Sequence, residues 1–129
     1  MEEVQCLLAR EPQAPFRARR AVAELTGGLL WRAADVMLVV SELVTNSLRH
    51  VPGTESIRVV ARRAPGALEV EVCDPGPGFV PPPAGVAAAT NVLGGGGLGL
   101  VVVDALTDEW GVRTNDHVCV WARFELATD

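Results

Sequence analysis

The stretch Val36 to His50, VMLVVSELVTNSLRH, constrains the fold of this 129-residue chain more than any other. Val36, Val39, Val40, Leu43 and, one turn on, Ser47 recur at helical spacing, so they line one side of an α-helix and demand a second layer to bury against. The helix runs from about Arg32 and ends before Val51-Pro52, because a residue ahead of proline avoids the helical region. Glu42 and Asn46 are four apart and share a face beside that stripe. A carboxylate stacked on a carboxamide at an apolar margin makes a poor core but a good ligand shelf. Asn46 offers an uncharged oxygen of the kind Mg²⁺ accepts, and ionised Glu42 can take a proton from a hydroxyl. Taken alone, the segment favours the plainer reading of boundary residues on an amphipathic helix.

The flanking segments supply the second layer. Val4 to Ala9 is a short strand-like run, closed off by Pro12 and Pro15. From Phe16, FRARRAVAEL repeats at helical intervals, with Pro15 suited to a first turn and Gly27-Gly28 to a stop. Its Arg17, Arg19 and Arg20 read as a solvated face. Ile57 to Arg63 and Ala67 to Cys73 alternate around Ala64-Pro65-Gly66, which predicts a β-hairpin. Parity there sets Leu68, Val70, Val72 and Asp74 on one face. Asp74 therefore aims at the apolar side, which is costly unless something donates to it. Trp110 to Arg113 and His117 to Leu126 give two more strands about an Asn115-Asp116 turn. Val118, Val120, Ala122, Phe124 and Leu126 lie on one face, and Trp121 on the other is expected to be covered by its neighbours.

Composition narrows the class. A net charge of -5 opposes a nucleic-acid or anionic-membrane surface. All 11 cationic Lys and Arg side chains are Arg, so a side-chain phosphate contact would be a guanidinium or His. Cys6, Cys73 and Cys119 form no CxxC pair, which predicts buried reduced thiols in a cytoplasmic protein rather than a disulfide. No apolar run is suited to a signal peptide or a membrane span. Residues 1–129 are expected to form one domain.

Two further stretches change the weight given to Glu42 and Asn46. Asp74-Pro75-Gly76-Pro77-Gly78 closes a strand. Gly94 to Leu100, GGGGLGL, opens a helix over VVVDAL, and a glycine-rich turn feeding a helix start presents unpaired NH groups to anions. In this order and with these gaps, the three stretches resemble the N, G1 and G2 boxes of the GHKL ATPase and kinase superfamily, above all the small bacterial anti-sigma-factor serine/threonine kinases. The likeness runs from about Phe16 to Phe124. It implies a Bergerat-type ATP-binding fold, an α+β two-layer sandwich with a mixed, mostly antiparallel sheet and three helices on one face. ATP and Mg²⁺ are the implied cofactors. Asn46 would hold Mg²⁺, Asp74 would read the adenine amino group, and Gly76 and Gly78 would make room for the purine. Gly95, Gly97, Leu98 and Gly99 would wrap the phosphates, with Glu42 as general base. The implied partners are a sigma factor or an anti-sigma-factor antagonist, without nucleic acid or membrane, and a homodimer stays open.

Phe79 to Leu93 would then be an ATP lid. One departure stands out: no charged residue lies between Asp74 and Asp104, where many relatives carry a basic side chain. The γ-phosphate would rely on backbone NH groups and Mg²⁺. This keeps open a second function, a nucleotide-gated binding module that grips a sigma factor or antagonist without phosphoryl transfer. A sensor histidine kinase is disfavoured, because no helix with a phospho-accepting His precedes Phe16.

Overall fold

Apolar periods of two in the strands and 3.6 in the helices place one contiguous core between two layers. The computed structural model describes residues 1–29, 32–50, 56–75, 98–114 and 117–126, with the side chains of residues 50, 75, 98 and 99 left aside. Within these, the strands are β1 (Glu2–Leu8), β2 (Ile57–Ala64), β3 (Ala67–Pro75), β4 (Glu109–Thr114) and β5 (His117–Glu125). The helices are α1 (Ala14–Ala23), α2 (Arg32–His50) and α3 (Leu98–Leu106). The sheet runs β1-β2-β3-β5-β4, and each neighbouring pair is antiparallel. The expected α+β sandwich with a mostly antiparallel sheet is found, and among the described strands none pairs in parallel.

Local chemistry accounts for the ends of these elements. The β2–β3 turn uses Gly66 at φ 85°, a left-handed conformation in which a side chain would be strained. Helix α1 begins at Ala14, two residues earlier than its apolar spacing suggests, with Pro15 in the first turn where its missing N–H costs nothing. No described helix is long and apolar enough to cross a membrane.

The register sorts the two faces of the sheet. Leu68 stands opposite Phe124, Val70 opposite Ala122 and Ala61, and Val72 opposite Val59 and Val120. This face meets Val36, Val39, Val40, Leu43 and Val44 of α2, Ala14, Ala18 and Val22 of α1, and Val103 of α3. The other face is held by different means. Trp121 lies flat over Gly111, where an added Cβ would come within 2.9 Å of the ring. The Arg113 guanidinium sits 4.8 Å from the indole centroid and pairs with Glu71 at 2.5 Å. Trp121 is thus covered by its neighbours, as expected.

The cysteines depart from expectation. Cys73 and Cys119 face each other across β3 and β5, with 4.0 Å between Cα atoms, and form a disulfide. Their partnership depends on a pairing between strands 46 residues apart, which local alternation does not encode. Cys6 keeps its thiol, and burial pushes that thiol's pKa up.

Two stability measurements follow from this face. Gly111→Ala should destabilise the fold by about 1–3 kcal/mol, because the indole has to leave its seat; thermal unfolding would reveal the loss. Reducing the Cys73–Cys119 bridge should lower stability by roughly 2–4 kcal/mol, measured as the difference between denaturant titrations with and without dithiothreitol.

Candidate functional site

Helix α2 is anchored at its start. Arg32 pairs with Asp35 one turn on, and Asp35 sits where the helix dipole favours negative charge. The same guanidinium donates to the Leu106 carbonyl at 3.2 Å and to Asp108 at 2.5 Å. These bonds pin the C-terminal end of α3 beside the first turn of α2. Helix α3 packs alongside α2. At 1.5 Å per residue, its nine residues span about 13 Å.

Asp74 reaches α2 from β3. It is 6% exposed and points to the helix side, as strand parity requires. The donor it needs comes from Ser47, whose hydroxyl donates to Asp74 Oδ1 at 2.5 Å. A second donor comes from Arg10, in the connection between β1 and α1. Its Nη2 pairs with Asp74 Oδ1, while its Nη1 donates to the Ser47 carbonyl at 3.1 Å. Ser47 and Asp74 are therefore in direct contact, with Asn46 the next residue along the helix.

Neither Ser47 nor Arg10 is identified as a site residue by sequence reasoning. For Ser47 a signal existed, a hydroxyl at a stripe position whose other members are aliphatic. Arg10 offered none, since nothing local relates it to a residue 64 positions away.

Asn46 carries the clearest sign of an incomplete environment. Its Nδ2 is buried and has no hydrogen-bond partner among the described residues. A buried amide left unpaired costs about 1–3 kcal/mol, so native chains keep few of them without a reason. The donor set fits a metal-bound phosphate: a carboxamide oxygen suits Mg²⁺ and its NH₂ suits a phosphate oxygen. Glu42 is half-buried one turn earlier on the same face, with no ion pair among the described residues. Leu98 and Gly99 open α3, as a glycine-rich turn leading into a helix predicts. Gly76, Gly78, Gly95 and Gly97 lie outside the described residues, as does the Phe79–Leu93 stretch.

A helical layer on one face of an antiparallel sheet, with Ser47 of α2 meeting the inward Asp74 at a strand end, defines the class as an α+β two-layer sandwich. Residues 8–124 match the histidine kinase-like ATPase domain, and the chain belongs to that family. Its fold resembles the crystal structure of the RsbU and RsbW domains of a Mycobacterium tuberculosis protein, with a TM-score of 0.72 at 20% identity. That likeness covers 100% of this chain and 34% of the other, so the chain spans about a third of that structure's length. A search of curated proteins finds no match.

The contacts of Asp74 make a stability test. Asp74→Ala removes the carboxylate partner of a buried arginine and should cost about 3–5 kcal/mol. Adding Arg10→Met should recover at least ~1 kcal/mol relative to the sum of the two single changes, as urea unfolding of all four members of the cycle would show.

Proposed function

We propose that this chain binds ATP with Mg²⁺ and acts as a serine/threonine kinase of the anti-sigma-factor type, phosphorylating a small anti-sigma-factor antagonist. The observation that carries the reading is the buried amide of Asn46, without a hydrogen-bond partner among the described residues, next to Ser47 and Asp74 in a chain of the histidine kinase-like ATPase family. The fold shared with a structure containing an RsbW domain supports the choice of branch.

Each residue has a distinct task in this reading. Asn46 would hold Mg²⁺ through its carboxamide oxygen and a phosphate oxygen through its NH₂. Asp74 accepts from the adenine amino group, with Gly76 and Gly78 admitting the flat purine close to the backbone. Gly95, Gly97, Leu98 and Gly99 present backbone NH groups at the start of α3, where the helix dipole adds attraction for anions. When bound, Mg·ATP would supply the phosphoryl group, and its metal ion would offset the charge that develops there. Glu42 accepts the hydroxyl proton of the substrate serine or threonine and orients that oxygen for in-line attack.

A single domain, a cytoplasmic setting and a sigma factor or antagonist as partner belong to the same proposal, although the Cys73–Cys119 bridge removes reduced thiols as a ground for the cytoplasmic part. The net charge of -5 agrees with a protein partner rather than a nucleic acid.

A second reading rests on one specific observation, the lack of any charged residue between Asp74 and Asp104. With no side-chain cation there to neutralise a transferring phosphoryl group, the domain would bind its protein partner under nucleotide control without transfer.

Two experiments separate these readings and test the site. Asn46→Ala should weaken ATP binding by calorimetry only when Mg²⁺ is present, whereas Asp74→Asn should weaken it with or without the metal; unchanged affinity in both variants would refute the site. With labelled ATP and an antagonist protein, Glu42→Gln should reduce transfer by about 10²–10⁴-fold while leaving nucleotide affinity in place. Partner binding with no label transferred by the unmodified protein would favour the second reading.

A further inference from the structure

Arg10 lies outside the three sequence boxes, yet it is built into the same cluster. The Arg10 and Asp74 side chains are 9% and 8% exposed. Three elements meet there: the β1–α1 connection through Arg10, α2 through Ser47, and the end of β3 through Asp74. The contacts close on themselves. Arg10 Nη2 pairs with Asp74 Oδ1, Ser47 Oγ donates to the same oxygen at 2.5 Å, and Arg10 Nη1 donates back to the Ser47 carbonyl at 3.1 Å.

Buried ion pairs contribute little net stability, because desolvation offsets the attraction. What this triangle does supply is orientation. The carboxylate cannot turn about its terminal bond without breaking both bonds to Oδ1. A carboxylate has about four lone-pair sites, so two donors on one oxygen still leave acceptor capacity for a third.

A rigidly oriented acceptor discriminates sharply. It accepts from an exocyclic amino group, and it repels a carbonyl oxygen in the same place, leaving a buried acceptor unpaired. We infer that Arg10 is a positioning residue for base selection: through Asp74 it makes the site prefer a 6-aminopurine nucleotide over a 6-oxopurine one. This rests on the nucleotide-binding reading given above, and it adds a residue from the β1–α1 connection to that site.

The test compares ATP with inosine triphosphate, which differs at the purine 6-position by a carbonyl in place of the amino group, by calorimetry on the full chain. In the unmodified protein ATP should bind more tightly. Arg10→Met should weaken ATP by about tenfold and change inosine triphosphate little, so that the preference collapses. A change that merely loosened the fold would weaken both nucleotides alike and leave their ratio standing. Arg10→Lys keeps the charge but not the planar fork. It should fall between the other two, and it carries the same comparison if Arg10→Met does not fold. An unchanged ratio, or tighter ATP binding, in the variant overturns the inference while the nucleotide site stands. Failure of the unmodified protein to bind either nucleotide overturns the underlying reading, and this inference with it.

Discussion

One buried negative charge organises the end of the sandwich at which α2 and β3 meet. A carboxylate at the margin of an apolar layer demands donors, and Asp74 obtains them from two other parts of the chain, Ser47 on α2 and Arg10 ahead of α1. Meeting that demand fixes where α2 lies against β3 and draws the β1–α1 connection across the same spot. The aliphatic side chains of α2 are close-packed against the sheet, but their contacts are not directional. A shared oxygen with two donors adds a directional constraint to that packing where α2 meets β3.

Much of this architecture was readable from local pattern, for a physical reason. Alternation in ALEVEVCD fixes which side of a strand faces the core, so the inward Asp74 and its need for a donor followed from parity. Helical spacing in VMLVVSELVTNSLRH likewise placed Glu42 and Asn46 together beside the buried stripe. Whatever depends on the pairing of distant segments stayed hidden. Strand order β1-β2-β3-β5-β4 puts the last strand between the third and fourth. No periodicity states that Cys73 will face Cys119, and the expectation of free thiols failed on that account. Arg10 was missed for the same reason. A charged residue just after a strand resembles any solvated loop residue until its distant partner is known. Trp121 was easier, since a lone aromatic on a mostly polar face needs local cover, and Arg113 and Gly111 provide it.

The two faces of the sheet divide the work. The helix side holds aliphatic packing and the polar cluster about Asp74. The other side is braced by a disulfide, an indole on a glycine, and an arginine shared between that indole and two glutamates. Both meet at consecutive residues of β3, Cys73 facing one way and Asp74 the other. The strand that delivers the aspartate is thus fastened from behind by a covalent link to β5.

The anchoring of α3 by Arg32 has a mechanical consequence. With its last carbonyl held beside the first turn of α2, the helix is clamped at its C-terminal end, and its start, the tip of a short lever, can shift only against the buried Leu100 and Val103. Over a length of about 13 Å, a 10° swing about the clamp displaces that tip by only about 2 Å. Such a lever shifts backbone donors by less than one atom's diameter, enough to tighten or slacken hydrogen bonds without disturbing the packing at its root.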